Sequence, residues 1–146
     1  MQKEILLEML AQNQITCSAA FTGITHENAH LRLNEKTASA GFIYRHIGEM
    51  MNMFGLFFGI PTEVQNTTMG QTDEGQGQDV DQSHLLVQKG FDMLQRYIEN
   101  ATDTSWLDPV DTPFFGTVSR ARLFSHILFH TSHHAGQIVL TLKKGR

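Results

Sequence analysis

At 146 residues, 40% hydrophobic and 18% charged, the chain is long enough to bury a core and too apolar to be disordered, so a single domain over residues 1–146 is expected. Fifteen acids against 11 bases leave a net charge of −4, with the bases scattered apart from Lys143, Lys144 and Arg146; nucleic acid, which draws its affinity from clustered Lys and Arg, is therefore not expected as a partner. One cysteine (Cys17), an N-terminus that carries Glu4 where a leader would be apolar, and a longest apolar run of eight residues from Met53 to Ile60 suit a cytoplasmic protein with no membrane span.

Four stretches carry helical periodicity and none alternates as a strand does, which predicts an all-α fold. The first helix is expected from Gln2 to Phe21, with Leu6, Leu10, Asn13 and Cys17 spaced three and four apart on one face. Cys17 on that face reads as packing rather than as a nucleophile, because nothing beside it would lower its pKa. Thr37 or Ser39 can cap a second helix from Ala40 to Phe58, which stops at Gly59-Ile60-Pro61.

The third helix is expected from Ser83 to Asn100, with Asp79 and Asp81 before it, and the fourth from Ser119 to Lys143, where two lysines suit the negative end of the helix dipole. Four helices in a small domain make a four-helix bundle. The connection between helices 2 and 3 contains "NTTMGQTDEGQGQD", longer than most in compact domains, and is therefore either disordered or functional. Between helices 3 and 4, "WLDPVDTPFFG" carries three aromatic residues and is expected to pack back onto the helices.

Histidine is concentrated in the fourth helix: His126, His130, His133 and His134 fall within a ~100° arc when successive residues turn by ~100°. Residues four apart stand one above the other, so His130 and His134 can aim two imidazoles at one ion. His46 lies in "GFIYRHIGEMMNMF", in the middle of an apolar face formed by Ile43, Ile47, Met50 and Phe54. Imidazoles facing hydrocarbon without partners are costly, and an ion shared between the two helices would satisfy them together. Neutral nitrogens suit Zn or Ni rather than Mg or Ca. On spacing alone His126 and His133 remain alternative ligands. Gln137 and Glu49 can each fix an imidazole's tautomer as outer partners, although a solvated position is the simpler reading of Glu49. His26, His30 and His84 read as surface residues.

The strings "RHIGEM" and "HILFHTSHHAGQI" resemble those of the DinB-like (damage-inducible DinB/YfiT) metal-binding four-helix bundle proteins, and the likeness in helix order covers most of the chain. The resemblance implies a long connection between helices 2 and 3, a homodimer, and a divalent ion held by His46, His130 and His134, which selects His134 over His133. It also implies a thiol-dependent S-transferase type of activity. A low-molecular-weight thiol would lose its proton at the metal and attack an electrophile, and the 62–80 segment is a candidate cover for the site. The same residues fit two alternatives: a metal-dependent hydrolase acting through water, and a non-catalytic metal-binding stress or sensor protein or dimeric interaction module.

Overall fold

The computed structural model describes all of residues 1–146. Four helices dominate it: α1 (Gln2–Gly23), α2 (Ala40–Phe54), α3 (Val80–Asn100) and α4 (Arg120–Lys144). Three of them begin on a side-chain cap that satisfies an otherwise orphaned amide. Ser39 accepts from Phe42 N, Asp79 from Gln82 N and Ser119 from Arg122 N. α2 tightens into a single 3-10 turn, Gly55–Phe58, and ends at Gly59, whose φ of 80° lies in the left-handed region that glycine enters without a Cβ penalty.

The all-α expectation is amended by one short antiparallel hairpin, β1 (Pro109–Thr112) and β2 (Gly116–Ser119), with Val110 opposite Val118. Two four-residue strands, one of them opening on proline, are too short to show a two-residue period. Trp106, 1% exposed, anchors the same connection against Phe124 and Tyr97, so this segment does pack back onto the helices.

Each helix packs mainly on two others, α1 on α3 and α4 and α2 on α3 and α4. Contact pairs fix the directions. Asn13 meets Leu128 and Ser132 while Gly23 meets Leu142, so α1 and α4 run parallel. Tyr44 meets His84 and Met51 meets Gly90, so α2 and α3 are parallel as well. By contrast, His46 faces His134 while Phe54 faces His126, which makes α2 and α4 antiparallel.

Parallel neighbours cannot be joined by a tight turn, because the chain must travel back along the first helix before starting the second. Residues 59–79 are that return path. Its far end is pinned where Gly77 lies against Gly41: a Cβ on Gly77 would stand 2.2 Å from the Gly41 carbonyl oxygen. α2 and α3 also approach closely, and a Cβ on Gly48 would fall 2.6 Å from Leu86 Cβ. Ile47, Leu94, Ile98, Leu123, Ile127 and Ile138, each no more than 1% exposed, fill the centre. No helix is long and apolar enough to cross a membrane.

Candidate metal centre

α2 and α4 bring His46, His130 and His134 together, with one ligand nitrogen from each lying within 4.8 Å of the others. The antiparallel register accounts for it: residues four apart on α4 straddle a single position on α2. His46 Nε2 and His130 Nε2 are 3.2 Å apart, close to the separation of about 3.3 Å expected between nitrogens bound tetrahedrally to one zinc ion. The His134 ring stands at 4.9 Å from His46 and 4.5 Å from His130, centroid to centroid.

Hydrogen bonds assign two of the tautomers. Glu49 has Oε2 accepting from the Thr68 hydroxyl at 2.7 Å and from Thr67 N at 2.8 Å, and Oε1 accepting from Arg45 Nε at 2.8 Å and the Thr67 hydroxyl at 2.6 Å. Since the Thr68 proton is committed to Glu49, the Thr68 oxygen accepts from His46 Nδ1–H at 3.0 Å. His46 Nε2 is then a bare lone pair facing the other rings. Gln137 Oε1 does the same for His134, accepting from Nδ1–H at 2.6 Å. The lone pair of His46 Nε2 facing His130 Nε2 is satisfied either by a proton on His130 or by a cation the two rings share.

Electrostatics keep the rings neutral. Burial, aided by the neighbouring His134, pushes His46 down to about 4. Burial again, with the surrounding imidazoles, pushes His130 down to about 3. His134 is lowered by burial, with the Gln137 hydrogen bond opposing. For Glu49, burial acts upward, but the hydrogen bonds from Thr67, Thr68 and Arg45 outweigh it and hold the carboxyl below its ordinary value. Three neutral nitrogen donors, two of them oriented from behind, form a set that can hold a divalent ion.

The remaining sequence candidates fall elsewhere. His126 lies outside the group, 5.7 Å from the His130 ring, packed edge-on against Phe54 and Phe115. His133 is exposed beside His134. His26 pairs with Asp81 at 3.3 Å, and exposed His84 meets the hydroxyl of buried Tyr44. Glu49 is not the solvated residue its position suggested. It is fully buried, because the 59–79 return path lies over it, and it reaches His46 through Thr68 rather than directly.

Arg45, Thr67 and Thr68 were missed by sequence reasoning. Arg45 and Glu49 form an i, i+4 pair that could have flagged the first. The two threonines carry no signal, since only the fold brings them across 18 to 22 residues.

A cavity of about 410 Å³ opens beside His46 and His134, with Met69 and Gly70 from the return path among its walls.

Residues 9–138 match the family model described as the DinB superfamily. No curated protein matches the chain in sequence. Among solved structures, a conserved protein from Enterococcus faecalis superposes with a TM-score of 0.68 at 12% identity, over 97% of this chain and 95% of that one. The colibactin self-resistance protein ClbS, solved in complex with a dsDNA, superposes with a TM-score of 0.69 at 13% identity and the same coverage. These two likenesses concern the fold. The second corrects the exclusion of nucleic acid drawn from charge. A protein of this fold sits on a duplex, and bases scattered along a sequence are a poor guide because phosphate contacts depend on which of them the fold gathers on one surface.

Proposed function

The chain belongs to the DinB superfamily, and on that premise we propose that it is a divalent-metal-dependent enzyme of the thiol-dependent S-transferase type, with His46, His130 and His134 as the protein ligands. The observation that carries this reading is the convergence of three neutral imidazoles on one point next to a cavity. Nitrogen donors of this kind suit Zn or Ni. An ion held there supplies Lewis acidity that brings the proton affinity of a thiol or of water into the neutral range.

The protein's own residues do the positioning. Thr68, braced by Glu49, orients the His46 ring, and Gln137 orients His134. Because all three rings are neutral, they cancel none of the ion's charge. Thr68 and Met69 shield one side of the site while the cavity admits a small thiol and an electrophile. In this reading the four packed helices form the DinB four-helix bundle, with residues 59–79 as its long second connection. Ile15 on α1 and Phe129 and Leu140 on α4, at least half exposed, supply apolar surface for a homodimer.

Metal analysis of protein purified without a histidine tag tests the reading: about one divalent ion per chain is expected, lost in His130→Ala. Cobalt-loaded protein should change its visible spectrum when a small thiol is added. A spectrum that ignores thiols but accompanies ester or amide cleavage would favour the hydrolase, and one that ignores both would favour the sensor.

A second reading, binding to a DNA duplex, has two observations behind it. ClbS is seen on dsDNA, and Lys36, Arg146 and the Asp73-paired Arg32 line one surface hollow together with Glu35. Gel-shift titrations at two salt concentrations test it: salt-sensitive binding weakened by Lys36→Glu supports it, and no shift refutes it.

A further inference from the structure

We propose that the cavity beside the three imidazoles selects an uncharged, largely apolar ligand of small-molecule size, and that this is the substrate class of the site. The inference rests on the reading of His46, His130 and His134 as a metal centre, and it adds what that reading leaves open.

The cavity's volume, about 410 Å³, falls within the range of ~300–1,000 Å³ typical of small-molecule sites. Its walls are Leu33, Phe42, Ile43 and Met69, and its reactive end is formed by His46 and His134. Three of the four wall residues are only partly buried, so a ligand would complete their removal from water. No Lys, Arg, Asp or Glu lines the cavity.

Arg32, next to the lining Leu33, is already engaged: it pairs with Asp73 at 3.0 Å and also donates to the Thr37 carbonyl, and Lys36, next to the lining Thr37, is exposed to solvent. Toward the apolar wall, away from the histidine end where a bound ion's charge would act, a carboxylate or phosphate would therefore shed water without meeting a side-chain counter-charge, which is costly. The remaining polar side chains of the lining are Thr37, Thr68, Thr141 and Gln137. The Thr37 and Thr68 hydroxyls already donate to the Asn34 carbonyl and to Glu49, and the amide nitrogen of Gln137 can donate to a carbonyl or hydroxyl but cannot neutralise an anion.

The test is calorimetric titration of zinc-loaded protein with 2-phenylethanethiol and with 4-(mercaptomethyl)benzoate, a neutral thiol and an anionic one whose carboxylate is held too far from its sulfur to reach the metal. The neutral thiol is expected to bind at least about tenfold more tightly. Ala38→Trp, which fills the cavity from a lining position, should abolish that preference without changing zinc affinity. Met69→Lys places a cation in the wall and should reverse it, so the test survives if the tryptophan variant fails to fold. 4-(Mercaptomethyl)benzoate binding as tightly as the neutral thiol, or both variants behaving as wild type, would overturn the proposal. Titration of metal-free protein with 2-phenylethanol separates the two ideas. A chain that binds no zinc but still takes up this alcohol, and loses it in Ala38→Trp, would sink the metal reading and uphold the cavity.

Discussion

Thr68→Val isolates the bridge between Glu49 and the centre. Valine has nearly the shape of threonine, and Thr68 is 2% exposed, so packing is kept while one hydroxyl disappears. Glu49 is not stranded by the change: Oε2 keeps Thr67 N, and Oε1 keeps Arg45 and the Thr67 hydroxyl. The loss falls instead on His46, whose Nδ1–H now faces a methyl group. An unsatisfied buried donor costs about 1–3 kcal/mol. The ring recovers part of this by turning or by changing tautomer, either of which misdirects Nε2. Removing such outer partners lowers metal affinity by about 10- to 100-fold, or about 1.4–2.7 kcal/mol. Competition with a chromophoric chelator measures it, with Thr68→Ser expected to restore binding. If Thr68→Val held metal as tightly as wild type while its circular dichroism was unchanged, the bridge would have no part in orienting the ring.

Stability of the metal-free protein should depend on pH through His46 and His130. Their folded-state values of about 4 and about 3 lie below the ~6.5 of an unfolded histidine, so the unfolded chain takes up protons first. The contribution of the neutral rings is complete above ~6.5 and is lost as pH falls toward 3; urea midpoints between pH 4 and pH 8 should rise with pH, and a flat profile would contradict the burial argument. Gly48→Ala should lower the urea midpoint, by overpacking worth about 1–3 kcal/mol, because its methyl would meet Leu86 Cβ at 2.6 Å; an unchanged midpoint would show that α2 and α3 have slack. His134→Ala should lower zinc affinity more than His133→Ala, since exposed His133 lies outside the three-imidazole group; equal losses in a chelator competition would count against the assignment.

The helices were legible because their signals are local: periodic apolar positions, and caps such as Ser39 and Asp79 that act within three residues. His46 and a histidine pair on the fourth helix could be read from spacing, because residues four apart share a face and His46 sits on an apolar one, whereas the choice of His134 over His126 and His133 came from the resemblance to the DinB-like proteins. What escaped the sequence depends on topology. Nothing in "NTTMGQ" shows that the segment lies over Glu49, since that follows from α2 and α3 running parallel, which no residue spells out. The β1–β2 hairpin escaped for a different reason, four residues being too few to establish a period. The error over nucleic acid came from judging the clustering of Lys and Arg along the sequence, where clustering in space is what matters.

His46 and His130 are separated by 84 positions, and their rings meet only when the second and fourth helices are both in place. Any opening that detaches either helix dismantles the pair, so colour from a cobalt ion seated there would serve as a gauge of the whole molecule's integrity. In a cooperative melt that colour should fade in step with the far-ultraviolet helix signal, and raising free metal should shift both curves upward together by mass action.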